Sequence, residues 1–359
     1  MLSPVDLGFL EPCEQEWLLT SPFFRSKVGG RPAWLELKNL PGPKELLCDE
    51  CGEPCIFLCQ VYAPLEDKDS CFHRTIFVFV CLKASCYQPN VNKNIKVFRS
   101  QLPRRNDYYD FNPPNEDQPP AAPAKPLSVS GHPPLCVVCG CRGPQQCSQC
   151  RKVNYCGVVH QRIDWKNGHK AGCGKVEGTS SADILFPQQE IITEAEEIEP
   201  EEKLSEAENE KKQMEEYEKL MKEGKTGELS ELSESELDKY SEQIEDKQFD
   251  KFKKIISSYP EQVLRYDRKS KPLWISNIVP KEIPVCELCG RQRVFEFQIM
   301  PQLLISLNNE NIDWGVLAIY TCVESCDTPD RSYAKEFVYK QDVIQTEPTA
   351  VEKPASSSS

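Results

Sequence analysis

Between Cys136 and Cys173 the chain carries four ligand pairs: Cys136-x2-Cys139, Cys147-x2-Cys150, Cys156-x3-His160 and His169-x3-Cys173. Thiolate and imidazole at these spacings are the ligands of structural zinc, and eight of them make two four-ligand sets. So short a segment cannot bury enough apolar surface to fold alone, so the metal must supply the stability. A structural zinc contributes roughly 10–16 kcal/mol of apparent binding energy, which in such a module is folding energy. Cys141 lies outside the pattern and reads as a bystander.

Whether the 19 cysteines mean metal or disulfides depends on compartment. The start Met1-Leu2-Ser3-Pro4-Val5-Asp6 has no basic stretch followed by an apolar core, so no secretory signal is expected. No uncharged apolar run approaches the length of a membrane span. A reducing compartment is therefore expected, where Cys-x2-Cys pairs mean zinc. The formal net charge of -13 argues against a protein whose main task is gripping nucleic acid, and favours basic partners.

A second Cys pattern occurs twice. One copy reads Arg31-Pro32-Ala33-Trp34-Leu35, Cys48-x2-Cys51-Gly52, Phe57, Gln60 and Cys81-x4-Cys86. The other reads Lys271-Pro272-Leu273-Trp274-Ile275, Cys286-x2-Cys289-Gly290, Phe295, Gln298 and Cys322-x3-Cys326. Shared order, residue type and approximate spacing indicate an internal duplication. The second copy has only these four cysteines, so they mark the ones that matter in the first. Each copy should hold one zinc through four thiolates: Cys48, Cys51, Cys81 and Cys86, then Cys286, Cys289, Cys322 and Cys326. Cys13, Cys55, Cys59 and Cys71 have no counterpart and read as structural or incidental thiols.

Short apolar runs of β-formers lead into the second Cys pairs, Ile76 to Val80 and Val316 to Tyr320. Ile56 to Tyr62 and Val294 to Met300 are their expected antiparallel partners. Two knuckles closing neighbouring strands is zinc-ribbon geometry, with Gly52 and Gly290 permitting the turn after each first knuckle. Trp34 and Trp274 are expected to anchor cores. The predicted fold is mostly β: a duplicated zinc-ribbon-like β-domain, a central finger, and an acidic linker that is disordered or helical.

The expected organisation is a β zinc domain over 1–103, a Pro-rich linker over 104–134, the finger over 135–174, an acidic low-complexity segment over 175–248, a second β zinc domain over 249–345, and a tail over 346–359. The Pro-rich linker should be an extended tether. The Glu- and Lys-crowded stretch from Glu190 to about Asp246 predicts disorder or a frayed helix, as a spacer or as an acidic surface for a basic partner. Ser230, Ser233 and Ser235 lie there among glutamates, a setting for an acid-directed kinase. Phe249, Phe252, Ile255 and Ile256 recur at helical spacing before Pro260, predicting a helix against the C-terminal domain.

The finger resembles the MYND family, down to Tyr155-Cys156-x3-His160-Gln161 and Trp165 ahead of His169. In that family the pairs interleave, which implies Cys136, Cys139, Cys156 and His160 on one ion. Cys147, Cys150, His169 and Cys173 then take the other. With Gly29-Gly30-Arg31-Pro32-Ala33-Trp34-Leu35 and the duplicated Cys pairs, nearly the whole chain resembles the programmed cell death protein two family. That resemblance implies a protein of nucleus and cytoplasm. It also implies a chaperone for a small-subunit ribosomal protein, S two, in ribosome biogenesis, with links to proliferation and apoptosis.

Charge fits that expectation. Zinc sets of four thiolates carry about -2 and sets of three thiolates plus a histidine about -1, deepening the chain's charge to about -19. A DNA-binding or transcription-regulatory role is the alternative, because the finger is locally basic. Arg142, Arg151, Lys152, Arg162, Lys166, Lys170 and Lys175 face only Asp164. Such a surface suits phosphates, a peptide partner, or the chain's own glutamate tract. Catalysis is not expected: His73 and His132 have no evident partner for acid–base work, and every zinc set is filled by protein ligands. No membrane partner is expected.

Overall fold

The computed structural model describes residues 5–119, 132–174, 184–197, 247–327 and 332–343. Its strands, in chain order, are β1 (Asp6–Glu11), β2 (Lys27–Val28), β3 (Ile56–Tyr62), β4 (His73–Val80), β5 (Ile95–Leu102), β6 (Gln145–Gln146), β7 (Asn154–Tyr155), β8 (Gln189–Ala195), β9 (Leu264–Tyr266), β10 (Arg293–Ile299), β11 (Val316–Cys322) and β12 (Tyr333–Gln341). The β-forming runs ahead of the second Cys pairs become β4 and β11, hairpinned to β3 and β10. Every residue of β4 and β11 is buried, as expected of strands covered on both faces.

The strands from both copies of the duplication close one antiparallel barrel, in the order β1-β8-β2-β3-β4-β5-β12-β11-β10-β9. The two expected β zinc domains thus contribute their strands to one closed sheet. The copies meet where Ser100 of β5 pairs with Tyr333 of β12, and again where Phe9 of β1 pairs with Ile192 of β8. Each barrel strand has a neighbour on both sides, so no free edge is left for strand addition near the knuckles.

The duplication is visible as pseudo-two-fold symmetry. β3 and β10 both slip register against their partners at equivalent places, between Phe57 and Cys59 and between Phe295 and Phe297. A bulge preserved in both copies is a designed bend, here one that helps curve the wall. Gln60 Oε1 accepts from Ala33 N at 2.9 Å, and Gln298 Oε1 accepts from Leu273 N at 2.6 Å. Each glutamine thus fixes the backbone just ahead of its tryptophan. The short β2 and β9 lie beside β3 and β10 in matching register, Lys27 opposite Gln60 and Arg265 opposite Gln298.

This symmetry swaps the outer strands. β8 flanks β2 in the N-terminal half, while β1, the first strand of the chain, flanks β9 in the C-terminal half. β8 falls in the segment predicted to be disordered or helical from Glu190, a correction to that expectation. Only Ile191 of β8 is fully buried, so its apolar signal is weak amid acidic neighbours. The rest of the acidic tract, including Ser230, Ser233 and Ser235, lies outside the described residues, as do Lys175 and the tail.

Charged side chains lock the halves together across the interior. Arg74 on β4 makes a bidentate pair with Glu296 on β10, at 2.7 and 3.0 Å, with both side chains fully buried. Arg268, Tyr266 and Thr321 also bind that carboxylate. Burial alone would raise the Glu296 carboxyl, but Arg74 and Arg268 hold it down at about 2. A second buried carboxylate, Glu336, joins Arg99 of the N-terminal half to Arg293 of the C-terminal half, at 2.8 and 2.9 Å.

Residues 104–119 are not a free tether. Tyr109 donates its hydroxyl to Leu35 O at 2.6 Å and packs edge-on to Phe24, and Arg25 pairs with Glu116 at 2.5 Å. A helix over 247–257 covers the equivalent region of the C-terminal half, as its sequence spacing predicts. Phe252 and Ile256 pack there against Ile275, Met300 and Val316. No helix among the described residues is long and apolar enough to cross a membrane.

Candidate metal centres and the docked finger

The structure brings the sixteen sequence-predicted ligands together as four clusters. These are Cys48, Cys51, Cys81 and Cys86; Cys136, Cys139, Cys156 and His160; Cys147, Cys150, His169 and Cys173; and Cys286, Cys289, Cys322 and Cys326. Within each cluster the donor atoms lie within 4.8 Å of one another. Sulfur separations are 3.7 Å for Cys51–Cys81, 3.8 Å for Cys139–Cys156, 4.0 Å for Cys147–Cys173 and 3.5 Å for Cys289–Cys322. A tetrahedral zinc with Zn–S bonds of about 2.3 Å sets its sulfurs about 3.8 Å apart. The clusters therefore fit zinc, and all 19 cysteines are free thiols. Each cluster offers four protein donors, leaving no coordination position for a reacting water.

In the barrel halves, backbone geometry prepares the knuckles. Gly52 and Gly290 sit at φ +71 and +70, and their amides donate back to Cys48 O and Cys286 O at 2.9 Å. Burial raises the Cys51 and Cys289 thiols, but the Glu53 and Arg291 amides and neighbouring thiols outweigh it and lower both. Thiolate is the form that ligates metal. The second knuckle of the C-terminal half rests on the N-terminal half: Lys68 and Gln101 donate to Ser325 O, and Arg99 donates to Cys326 O.

In the finger, Cys147 and Cys150 lie between the hairpin strands β6 and β7, and Cys156 and His160 lie at the start of helix α1 (Val158–Asp164). Cys136 and Cys139 precede the hairpin, and His169 and Cys173 follow the helix. Cys156 and His160 flank the first turn of α1, with Cys156 Sγ 3.0 Å from His160 Nδ1. The other histidine presents its opposite nitrogen, His169 Nε2 lying 3.4 Å from Cys147 Sγ. Burial would raise the Cys147 thiol, yet the Cys150 amide and the His169 ring hold it at about 6. Behind His169, Asp164 Oδ2 lies 3.9 Å from Nδ1 and accepts from Tyr155 OH at 2.6 Å. At that separation the carboxylate lies behind the ring without hydrogen-bonding it, its one side-chain hydrogen bond being the one from Tyr155. From sequence, Asp164 is only the acid opposing the finger's cations; the structure buries it. The signal was its i+4 relation to His160 on the same helix. Arg142, Arg151, Lys152, Arg162, Lys166 and Lys170 are all exposed, while Asp164, the one acidic residue between Cys136 and Cys173, is buried. Cys141 stands outside both clusters, buried with its thiol toward Cys139 O.

The finger is seated on the barrel by the Gly-Gly-Arg-Pro-Ala-Trp segment. Trp34, buried against Phe77, Phe79 and Tyr333, donates Nε1 to Gly140 O at 2.8 Å. Arg31 donates to the carbonyls of Val137 and Val138, and the Val138 side chain is fully buried. Gly29 and Gly30 have φ +67 and +66, and a Cβ at either would lie 2.0 Å from Pro187 O or 2.3 Å from Gln188 Oε1. They admit the chain returning from the finger, and Gly30 N donates to Phe186 O. Lys27, lowered to about 8 by burial, bridges Arg31 O and Gln188 Oε1 beside them. Trp34 is thus a core residue, as expected, whose one polar atom also holds the finger.

Family models match along most of the chain. They are the programmed cell death protein 2 N-terminal domain over residues 4–116, the MYND finger over 136–173, and the programmed cell death protein 2 C-terminal putative domain over 246–343. The mouse programmed cell death protein 2 is 45% identical over 357 residues, covering 96% of this chain and 98% of that protein. The chain belongs to the programmed cell death protein 2 family. The human programmed cell death protein 2-like is 28% identical, covering 94% of this chain and 95% of that protein. The Schizosaccharomyces pombe probable 20S rRNA accumulation protein 4 is 25% identical, covering 87% and 91%. No solved structure matches. The family is named for programmed cell death rather than for an enzymatic activity, and the three models meet the three Cys-bearing parts of the sequence.

Proposed function

We propose that this chain is a non-enzymatic zinc adaptor that escorts a basic small-subunit ribosomal protein, of the S two type, during ribosome assembly. The observation that carries the reading is the likeness, along 87% of the chain, to a relative named for 20S rRNA accumulation. The formal charge of -13 supports it. A free ribosomal protein is basic because it neutralises phosphates, and an acidic escort offers carboxylates in their place. Four complete ligand sets, two in the finger and one in each barrel half, would hold zinc as structural ions with every coordination position taken by protein. Work of this kind places the protein in nucleus and cytoplasm.

The exposed cations of the finger favour a second reading, contact with an acidic peptide or with nucleic acid. Affinity capture from nuclease-treated extract separates the two. Recovery of one small-subunit ribosomal protein supports the escort. Loss of every partner on nuclease treatment supports nucleic-acid binding instead.

A further inference from the structure

The two barrel ligand sets match in their residues but not in their shelter. Among all 19 cysteines, Cys289 alone is exposed. Its symmetry mate Cys51 is half-buried, with the finger close beside its knuckle. Leu46, Leu47 and Pro54 of that knuckle face Cys139 and Val158 of the finger across one small cavity. The knuckle that carries Cys289 stands open, its neighbours Leu288 and Gly290 being exposed as well.

A second thiol waits behind the exposed one. Cys289 Sγ and Cys322 Sγ are 3.5 Å apart, and Cys322 is fully buried. An oxidant in solution therefore meets Cys289 first. The turn from Cys322 to Cys326 is also where the C-terminal half leans on the N-terminal half. Lys68 donates to Glu324 O and to Ser325 O at 2.8 Å, Gln101 donates to Ser325 O at 3.0 Å, and Arg99 donates to Cys326 O at 3.2 Å. The turn is held at a cost. Ser325 is a non-glycine residue at φ +41, and its hydroxyl is buried with no hydrogen-bond partner among the described residues. Ligation through Cys322 and Cys326 fixes the turn against that cost.

We propose that the Cys286, Cys289, Cys322 and Cys326 set is a peroxide-sensitive latch between the two halves of the barrel. Hydrogen peroxide oxidises the Cys289 thiolate to a sulfenic acid and leaves as hydroxide. The Cys322 thiolate attacks that sulfur and displaces a second hydroxide. Two thiolates and one peroxide thus give one disulfide and two hydroxides. Cys286 and Cys326 are then the only donors left, too few to hold a structural zinc. The second knuckle relaxes, and Lys68, Gln101 and Arg99 lose the carbonyls they grip. A dithiol reductant with zinc restores the set, the dithiol leaving as its own disulfide. The latch acts on the seam where Ser100 meets Tyr333, whatever the chain escorts.

The test adds hydrogen peroxide in small increments to the full zinc-loaded chain. A colorimetric indicator counts the zinc released, and mass spectrometry of peptides maps the disulfides. The expected first event is loss of the ion from one of the four sets, together with a Cys289–Cys322 disulfide. Hydrogen exchange in β5 and β12 should quicken with it, while residues 136–173 stay protected. Dithiothreitol with zinc should reverse both changes. Cys289→His keeps four donors and removes the exposed thiol, so it should hold its zinc at the dose that strips the parent. A disulfide formed first in the finger, or ions lost from all sets together, overturns the proposal. Loss of this ion with exchange in β5 and β12 unchanged also overturns it, because the set would then latch nothing. The disulfide map of the parent decides the order of oxidation even where the histidine variant fails to fold.

Discussion

The indole nitrogen of Trp34 and the main-chain carbonyl of Gly140 lie 2.8 Å apart, joining the barrel core to the finger across 106 positions of sequence. The same ring stacks near Phe79 and meets Tyr333 edge-on, so one side chain serves both halves of the barrel and the inserted finger. Finger and barrel are therefore coupled: the first finger zinc set is built on a loop whose position Trp34 and Arg31 fix.

Replacing Trp34 by Phe keeps the ring packing and removes that hydrogen bond, at a cost of about 1 kcal/mol. Hydrogen exchange in residues 136–143 should quicken while β4 and β11 stay protected. Trp274→Phe, its symmetry mate, should leave the finger unchanged. Equal loosening of finger and barrel would mean that Trp34 acts only as core.

Glu296→Gln should destabilise the whole barrel, not one half of it. Removing the charge strands the buried Arg74, and breaking such a pair typically costs about 3–5 kcal/mol. The carboxyl is held at about 2 against an ordinary 4.5, so its contribution is present above pH 4.5 and fades as pH falls toward 2. Urea unfolding should remain a single transition with a lower midpoint. Two separated transitions would contradict the interlocked barrel.

His73 supplies a second acid-sensitive element. Its ring stacks on Phe24 at 4.0 Å, and burial with nearby Arg104 lowers it from 6.5 to about 4. As pH falls from 6.5 toward 4, the unfolded chain takes up a proton that the folded one refuses, so stability declines across that window. His73→Phe should flatten the decline, read as the urea midpoint against pH. A variant that tracks the parent through this window would remove His73 from the account.

Much of the metal chemistry was legible in the sequence because ligand spacing is local. Cys-x2-Cys at Cys48 and Cys286 announces a knuckle without knowledge of the fold, and β3, β4, β10 and β11 follow from their apolar runs. Closure into one barrel was not legible. It rests on β1, β8 and β9, short strands whose partners lie far off in sequence, such as Asp6 opposite both Ala195 and Tyr266. Only Ile191-Ile192-Thr193 sets Gln189–Ala195 apart from the glutamate-rich residues that follow, too short a run to announce a strand. Tyr109 was equally hidden, a single aromatic anchoring a Pro-rich stretch whose composition alone spells a tether.

Excising the finger tests the role of β8. Deleting residues 104–183 with a short linker keeps β8 and should leave a compact, cooperatively unfolding barrel. Extending the deletion through residue 197 removes the strand that joins β1 to β2, and the protein should expand in small-angle scattering. Indistinguishable scattering from the two deletions would show that β8 is not part of the wall.

Zinc content tests the central claim most directly, because the finger and both barrel halves carry complete four-ligand sets. Elemental analysis of protein purified without chelators should give four zinc ions per chain. Cys289→Ser, in an exposed ligand of the C-terminal half, should leave three. Two ions in the parent chain, with Cys289→Ser unchanged, would confine metal to the finger and contradict the zinc-built barrel.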